Sequence, residues 1–528
     1  MRAVGGLAVR LLRRSALIVT AVVAGMSALV VVQYRQTFAG TADLGALAAL
    51  SESPAIRTLF GPPVALGDPG GFTVWRTGTP LAVLTGIWAL LAITRVTRGE
   101  EDAGRWALLL SGRIRLARLV AVHLTVLGAA ALVVGAALTV AMIAAGTRPG
   151  GALLHGAGLA ATGVWFAGLG ALAGQLVAGR RGAAGLAASV LAVALLARMV
   201  ADGVGALAWL AWLAWLSPFG LLGLVQPYAA ELVRPLIVLA VMGAGLCLLA
   251  VAAAGARDLG AGWIAVREVR RARPWLVRSL PAFAIGRVLP GLAGWSAGIA
   301  AYILLIGLLA SSMSAFLRDN PRFAELAASA GIAELGSVEG YAAALFGVLA
   351  IALGFFAAGQ FAADAGDETA RRLTLLFARP VARTRWAALE AGVVTLGCTL
   401  LVVVAGLAMW AGAGIAGAGL GLGAAVAGEL NVLPVPLLCA GAALFALGWA
   451  PGVVLPIGAL PAAGGFLLHS LAESFGWPGW VDVLSPFAHL AAVPARSPDW
   501  AGTIGMTAVA AVLAVAGAAG YTRRDLRG

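Results

Sequence analysis

The sequence contains no lysine, so all 36 of its Lys and Arg residues are arginine. A phosphate-binding loop of the GxxxxGK[ST] type places a lysine after its glycines, where the ammonium group reaches the nucleotide phosphates. The chain therefore has no such loop. We do not expect it to bind and hydrolyse ATP in that way.

Charged residues are also scarce. They make up 11% of the 528 residues, whereas soluble globular domains carry about 25%. Hydrophobic residues reach 61%. These proportions exclude a soluble globular protein and indicate an integral membrane protein. Because a helix that crosses a bilayer needs about 20 apolar residues, the chain has room for about twelve such helices.

Cysteine and histidine are few and widely separated. The three cysteines lie in apolar runs and predict neither a disulfide framework nor a metal motif: Cys247, Cys398 and Cys439. The four histidines lack the His-Glu-x-x-His spacing of a zinc protease: His123, His155, His469 and His489. We therefore predict no metal site and no cofactor bound to this chain.

The formal net charge is +13, and the arginines flank the apolar runs. Arginine beside a membrane span is typical of the cytoplasmic side, so the charge predicts membrane topology and not a nucleic-acid partner. Arginines precede the first apolar run and follow the last one. We therefore expect a multi-pass membrane protein with both termini in the cytoplasm. The lack of lysine and the excess of alanine and glycine suggest a high-GC, actinobacterial genome, so the membrane is expected to be a bacterial plasma membrane.

Six apolar runs in each half are predicted to cross the membrane. Their approximate bounds are 15–32, 79–93, 119–145, 153–177, a run ending near 198–202, and 236–254, then 289–313, 341–363, 386–411, 436–449, 453–471 and 504–520. Before the last run of each half lies a tryptophan-rich segment, at 206–222 and 473–499. Tryptophan favours the membrane interface, so these segments are predicted to be interfacial or re-entrant elements on the outer side, as anchors or as an outer gate.

Between the halves, residues 257–287 are rich in arginine. This pattern predicts either a segment along the inner leaflet or a solvated connector. The predicted division is therefore a first half of residues 1–256, a basic cytoplasmic linker of 257–287 and a second half of 288–528.

The two halves match each other at a nearly constant spacing. Arg105 and Arg372 differ by 267 positions, and so do Arg257 and Arg524; Leu-Ser-Pro-Phe recurs one position further apart. Both halves have six spans and the same orientation, so they are predicted to be parallel repeats. The expected fold is an all-α membrane protein of about 12 transmembrane helices in two parallel six-helix repeats, a pseudodimer that encloses a central path.

A charged segment follows the second span of each half, at 99–118 and 366–385. Both predict an amphipathic helix with acids in its first turn, where the helix dipole favours negative charge. An apolar stripe runs along each predicted helix: Ala103, Trp106, Leu109 and Leu110, then Ala370, Leu373, Leu376 and Phe377. Such a stripe facing water indicates a docking surface for a partner; the alternative is a solvated loop.

An acidic helix start, an arginine, Leu-Leu and an arginine-rich exit together resemble the coupling helix of ABC-2 type exporter permeases. The twelve-span layout is similar to the actinobacterial polyketide-antibiotic, tetronasin-type group. The resemblance implies that two copies of a separate ATPase, carrying ATP and Mg²⁺, dock onto these helices. The implied docking residues are Glu100, Glu101, Arg105, Trp106, Asp367, Glu368, Arg372 and Leu373. Thr369 replaces the third acid, Asp102, so the two sites are expected to differ in strength.

Ionisable residues within membrane spans are costly and are candidates for function. His123 and Glu390 share the 267-residue spacing near the inner ends of their spans, and Asp202 and His469 share it near the outer ends. The first pair lies either at the inner mouth of a path or among lipid headgroups. The second pair lies either on the path or at the membrane interface.

We therefore expect a permease subunit and not an enzyme. It would export a hydrophobic or amphipathic compound, such as a drug or antibiotic, through a lipid bilayer, with ATP hydrolysed by its partner. The alternatives are a secondary-active twelve-span transporter, a lipid-modifying membrane enzyme and a membrane scaffold that transports nothing.

Overall fold

A computed structural model describes residues 2–38, 57–58, 60–112, 114–203, 205–264, 278–319, 337–475 and 477–525. The described residues form α-helices with short 3₁₀ and π-helical turns, and none of them belongs to a β-strand. The chain divides into two compact units, Met1–Val269 and Arg270–Gly528. We call them unit 1 and unit 2.

Besides one three-residue helical turn, unit 1 contains eight described α-helices. They are α1 (Arg2–Phe38), α2 (Pro69–Thr94), α3 (Arg105–Leu110), α4 (Leu116–Ala144), α5 (Pro149–Leu176), α6 (Arg180–Gly203), α7 (Pro218–Leu224) and α8 (Val233–Gly255). Helix α2 continues through a π-helical turn (Arg95–Gly99) and one more helical turn (Glu100–Asp102). A 3₁₀-helix (Gly205–Trp215) lies between α6 and α7.

Unit 2 repeats this order with more interruptions. Its described helices are α9 (Leu280–Leu308), α10 (Ala310–Asp319), α11 (Val338–Thr369), α12 (Thr374–Phe377), α13 (Arg383–Ile415), α14 (Leu422–Val432), α15 (Pro434–Trp449), α16 (Val454–Ala459), α17 (Gly465–Phe475), α18 (Gly479–Asp482) and α19 (Trp500–Arg523). A π-helical turn (Leu460–Gly464) joins α16 to α17, and a 3₁₀ turn (Pro486–His489) precedes α19.

Twelve helical stretches in the described residues are long and apolar enough to cross a membrane, six in each unit. The predicted all-α membrane fold with twelve spans is therefore confirmed. The arrangement of the units as parallel repeats stays a prediction.

The core of each unit is built around one helix rich in small residues. In unit 1, α5 packs against α2, α4 and α8. A Cβ atom on Gly156 of α5 would lie 2.4 Å from the carbonyl oxygen of Gly135 on α4, so only glycine allows this approach. In unit 2, α15 packs against α11 and α19. Small residues let membrane helices gain contact area without large side chains between them.

The outward faces of the long helices are apolar. Large hydrophobic side chains such as Leu132, Leu248 and Val515 are exposed on the surfaces of their units. Water would not cover such faces favourably, whereas lipid chains do.

The tenth and eleventh spans differ in detail from their predicted bounds. The run predicted at 436–449 is the second part of a longer stretch, in which α14 and α15 meet at Leu433 and Pro434. Proline lacks the amide hydrogen that a helix interior needs and is well suited to a first turn. It therefore begins α15.

The tryptophan-rich segment of unit 1 contains the 3₁₀-helix. With about three residues per turn, side chains three positions apart align on one face. Trp209, Trp212 and Trp215 have this spacing, and all three side chains are exposed. This stripe of indole rings suits a membrane interface.

The structure describes the two ends of the predicted linker of 257–287 and not its middle. Its first part packs onto unit 1, where Ile264 pairs with Val177 as an isolated β-bridge. Its last part lies in α9 of unit 2. Residues 265–277 lie outside the described residues, and so does the predicted course along the inner leaflet.

Candidate functional site

The charged segments end one helix instead of starting another. In unit 1, α2 and the two helical turns that follow it form one long stretch, Pro69–Asp102, which is long enough to cross the membrane. The acids occupy the last turn of this stretch. In unit 2 the acids lie in the last turn of α11. The prediction of acids in a first helical turn is therefore wrong. At a helix C-terminus the dipole disfavours negative charge, so these carboxylates need other partners.

A left-handed residue turns the chain after the acids in both units. Gly104 has φ 72° and precedes α3, and Arg371 has φ 56° in the turn before α12. These positions are also 267 residues apart. The two units therefore share the same backbone reversal, with glycine in one and arginine in the other.

In unit 1 the partner of the second acid is Arg257, which lies just after α8. Its Nη1 and Nη2 donate to Glu101 Oε1 and Oε2 at 2.7 and 2.6 Å, and the Gly260 amide donates to Oε1 at 2.7 Å. The Glu101 and Arg257 side chains are only 2% and 3% exposed. We call this two-bond ion pair a Glu–Arg clasp.

Two more side chains support the clasp of unit 1. Arg98 Nη1 lies 3.2 Å from Glu101 Oε1, and this guanidinium also donates to the carbonyl oxygens of Gly260 and Ala261. Arg257 Nε donates to Gln175 Oε1 on α5 at 2.7 Å. The clasp therefore ties the end of α2 to α5 and to the segment after α8.

Unit 2 has the equivalent clasp. Arg524 Nη1 and Nη2 donate to Glu368 Oε1 and Oε2 at 2.6 and 2.5 Å, and the Glu368 and Arg524 side chains are 6% and 15% exposed. Arg383 Nη1 on α13 donates to the Arg524 carbonyl oxygen at 2.6 Å. The end of α11 is thus tied to the residues after α19 and to α13.

The clasps are functional candidates that sequence reasoning did not find. Glu101 and Glu368 are 267 residues apart, and so are Arg257 and Arg524. The matching arginines had indicated a duplication, but nothing local connects them with acids 156 positions away. The available signal was an acid and an arginine that repeat together at one spacing.

A second ion pair in each unit points towards solvent. Arg105 forms two hydrogen bonds with the Glu100 carboxylate, one of them 2.7 Å from Nη2 to Oε1. Arg372 Nη1 lies 3.2 Å from Asp367 Oδ1. The arginine side chains are 61% and 66% exposed. The hydrogen bond with Glu100 raises the pKa of Arg105, so this exposed cation keeps its charge.

Most of the predicted apolar stripe packs within its own unit. Trp106 is buried, with its ring centroid 5.6 Å from that of His123, and Leu373 is also buried. Leu109 and Leu110 are half-buried against the core of unit 1. The exposed large apolar side chain of α3 is Leu108, which is 78% exposed.

The predicted docking residues therefore differ in burial. Five are buried inside their own units: Glu101, Trp106, Asp367, Glu368 and Leu373. Glu100 is half-buried, and Arg105 and Arg372 are exposed. Glu101 and Glu368 already have partners in their own chain, so their carboxylates are not offered to another protein in this structure. The docking role of the two segments stays a prediction.

Two of the four predicted translocation-path residues, His123 and Glu390, lie near the charged turns, and their environments differ. In unit 1, His123 Nδ1 donates to the Leu119 carbonyl oxygen at 2.8 Å and its ring lies beside Trp106. In unit 2, Glu390 accepts a 2.6 Å hydrogen bond from Arg287, which also donates to Asp364 and Asp367 at 2.5 and 2.8 Å. We call these four residues the Arg287 cluster. It holds three buried carboxylates around one cation.

The other two candidates lie at the opposite ends of their units. Asp202 Oδ2 is 2.6 Å from Arg198 Nε. His469 Nδ1 is 2.7 Å from Asp482 Oδ1. Each therefore has a polar partner within its own unit. A role for any of the four candidates on a translocation path stays a prediction.

Together the fold and the charged turns define a multi-pass, all-α membrane protein with an ion-paired helix end in each unit. The model of a protein family described as "Multidrug efflux system permease Rv1217c, C-terminal domain" matches residues 281–522, which lie in unit 2. The chain is also 29% identical over 494 residues to the multidrug efflux system permease protein Rv1217c of Mycobacterium tuberculosis (strain ATCC 25618 / H37Rv). This similarity covers 92% of the chain and 88% of that relative.

Proposed function

We propose that the chain is the membrane-spanning permease subunit of a multidrug efflux system and not an enzyme. Its energy would come from ATP hydrolysis by two copies of a separate ATPase, one at each charged turn. The similarity to a multidrug efflux permease over most of the chain supports the export function. The main structural support for this coupling mechanism is that each unit has a helix end held by an equivalent Glu–Arg clasp.

The clasps give these turns the stiffness that a coupling element needs. A push on a loose loop would be absorbed by bending, whereas a push on a clasped turn passes to the helices tied to it. In unit 1 those helices are α2, α5 and α8. Breaking a buried ion pair by removing one partner costs about 3–5 kcal/mol, so the turn should move with its helices.

The exposed side chains define the surface that an ATPase would contact. Arg105 and Leu108 face solvent in unit 1, and Arg372 does so in unit 2. A complementary groove would present carboxylates to the arginines and an apolar recess to Leu108. In this refined form of the docking hypothesis, Glu101 and Glu368 position the turns and do not contact the partner.

The remaining parts of the proposal follow from the sequence. Without a lysine-containing phosphate loop, nucleotide and Mg²⁺ would bind to the ATPase. The arginine-rich ends, with both termini and both charged turns, would lie in the cytoplasm. The transported compound would be hydrophobic or amphipathic. The protein would lie in a bacterial plasma membrane. Assignment to the ABC-2 type, including its antibiotic-exporting actinobacterial group, is part of this proposal.

The proposal is tested by reversing the exposed charges. We expect Arg105→Glu combined with Arg372→Glu to reduce co-purification with the proposed partner ATPase by at least about tenfold, which corresponds to about 1.4 kcal/mol. ATP-driven efflux from vesicles should fall in parallel. Both substitutions are at exposed positions, so the protein should still fold.

Arg76→Glu is the matched control, because Arg76 is exposed at the opposite end of the α2 stretch. It should leave ATPase capture unchanged. Full capture and full efflux in the double variant would overturn the docking assignment.

One observation favours a second candidate, an ion-coupled secondary transporter. The Arg287 cluster places three carboxylates in a buried site with one arginine, and buried carboxylates in transporters mark ion or proton pathways. Efflux that persists without any ATPase and follows a proton gradient would select this candidate.

A further inference from the structure

Unit 1 contains a cavity at the end of its spans opposite to the charged turn. It has a volume of about 100 Å³ and lies between the N-terminal halves of α2 and α5, the end of α6, and α7. Its walls are largely apolar and aromatic, with Phe60, Trp75 and Phe219 among them. Trp75 Nε1 donates to the Gly61 carbonyl oxygen at 3.0 Å, which fixes the residues before α2 against this wall.

His155 of α5 lines this cavity and is fully buried. Neither of its ring nitrogens has a hydrogen-bond partner among the described residues. A buried polar group without a partner is destabilising, and most such groups in native proteins are satisfied. A neutral imidazole offers one N–H donor and one acceptor nitrogen, so this ring is suited to bind a hydrogen-bonding group that enters the cavity.

The space beside His155 is kept open by a glycine. Gly78 of α2 also lines the cavity, and a Cβ atom there would lie 3.6 Å from His155 Cε1. The two charged side chains that line the cavity, Arg198 and Asp202, form an ion pair at 2.6 Å. Their opposite charges offset each other, so the cavity does not select a strongly charged ligand.

We propose that this cavity is a binding site for an uncharged, mainly apolar ring that carries one hydrogen-bonding group, such as a phenol. The ring lies against the aromatic wall and the hydroxyl meets His155. A cavity of about 150 Å³ accepts benzene, so this cavity of about 100 Å³ holds at most a single ring, or the ring end of a larger molecule. The statement that such a molecule is a transported compound rests on the proposed function, whereas the binding itself does not.

The site is tested with the purified full chain in lipid nanodiscs, without any ATPase. The probes are 4-fluorophenol and fluorobenzene, which differ in the hydroxyl, and binding is measured by ¹⁹F NMR against empty nanodiscs. We expect the chain to bind 4-fluorophenol about tenfold more tightly than fluorobenzene, because one hydrogen bond contributes up to about that factor.

Two variants distinguish the contribution of the His155 hydrogen bond from that of the cavity volume. His155→Leu should remove the preference for 4-fluorophenol while fluorobenzene still binds. Gly78→Val should weaken binding of both probes, because the added methyl groups fill the cavity. Leu153→Ala is the control, since Leu153 is on the same helix with an exposed side chain, and it should change neither. Size-exclusion profiles check that each variant is folded.

The proposal is overturned if 4-fluorophenol binding is unchanged in Gly78→Val, if its preference survives in His155→Leu, or if the unaltered chain binds neither probe. Any of these results leaves the ATPase docking experiment untouched. Conversely, loss of the docking surface does not alter binding by the isolated chain, so the two proposals fail separately.

Discussion

The two charged turns have the same central ion pair in different surroundings. In unit 1, Glu101 is held by Arg257, by Arg98 and by the Gly260 amide. In unit 2, Arg524 is the cation bonded to Glu368, and its Nε has no partner among the described residues. Position 365, the equivalent of Arg98, is alanine.

The side chains around the turns show the opposite difference, because the charged neighbours lie in unit 2. Next to the turn of unit 1 lie the uncharged Trp106 and the ring of His123. Next to the turn of unit 2 lies the Arg287 cluster, with Glu390 at the position equivalent to His123. The comparison teaches that the clasp and the left-handed turn are the shared structural requirement, whereas the surrounding charges are free to vary. It also predicts that the first turn is the more firmly held.

The largest difference is expected when the acid of each clasp is neutralised. Glu101→Gln leaves two guanidinium groups, those of Arg257 and Arg98, without their buried carboxylate. We expect a loss of about 3–5 kcal/mol in the free energy of unfolding, the range for a broken buried ion pair. Glu368→Gln should cost less, because it strands one guanidinium that is closer to solvent. Thermal unfolding of the purified chain in nanodiscs measures both.

The neutral pair Glu101→Gln with Arg257→Gln is the control for this comparison. Removing both members of a buried pair is less damaging than removing one, so the double variant should recover part of the loss. Equal losses at positions 101 and 368, or no recovery, would contradict the stronger hold predicted for unit 1.

The smallest effect is expected at the left-handed residue. Gly104→Ala should destabilise unit 1 by about 1 kcal/mol, since a Cβ atom disfavours this backbone region. Apart from its chain neighbours, no atom of the described residues lies within 4 Å of that Cβ, so the cost is conformational and not steric. Arg371→Gly should stabilise unit 2 by a similar amount. The same unfolding measurement checks both signs, and a stabilising Gly104→Ala would show that the two turns are not equivalent.

Much of the fold could be predicted because membrane spans are encoded by local apolar runs. The twelve spans and the exposed tryptophan stripe both followed from such patterns. The break between α14 and α15 was harder to place, because Leu433 and Pro434 interrupt a run that stays apolar on both sides.

The candidate site was predictable only in part. The location of the charged segments and their equivalence followed from the sequence. The direction of their helices did not, because acids before an apolar stripe are typical of a helix start. Gly104 was the available sign of a helix end, but Arg371 at the equivalent position carries no such sign. The clasps join residues 156 positions apart, beyond the reach of any local pattern.

The most direct test of the account is a cross-link between α3 and the ATPase. A photoreactive amino acid replaces Leu108, the exposed side chain of the first charged turn, and the complex is irradiated in native membranes with and without ATP. The account predicts a covalent product with the ATPase whose yield changes on ATP binding. The same label in place of Leu132, on the exposed face of α4, should give none. If the label at position 108 gives no cross-link to the ATPase in membranes that still carry out ATP-driven efflux, the claim that the ATPase docks on this turn is contradicted.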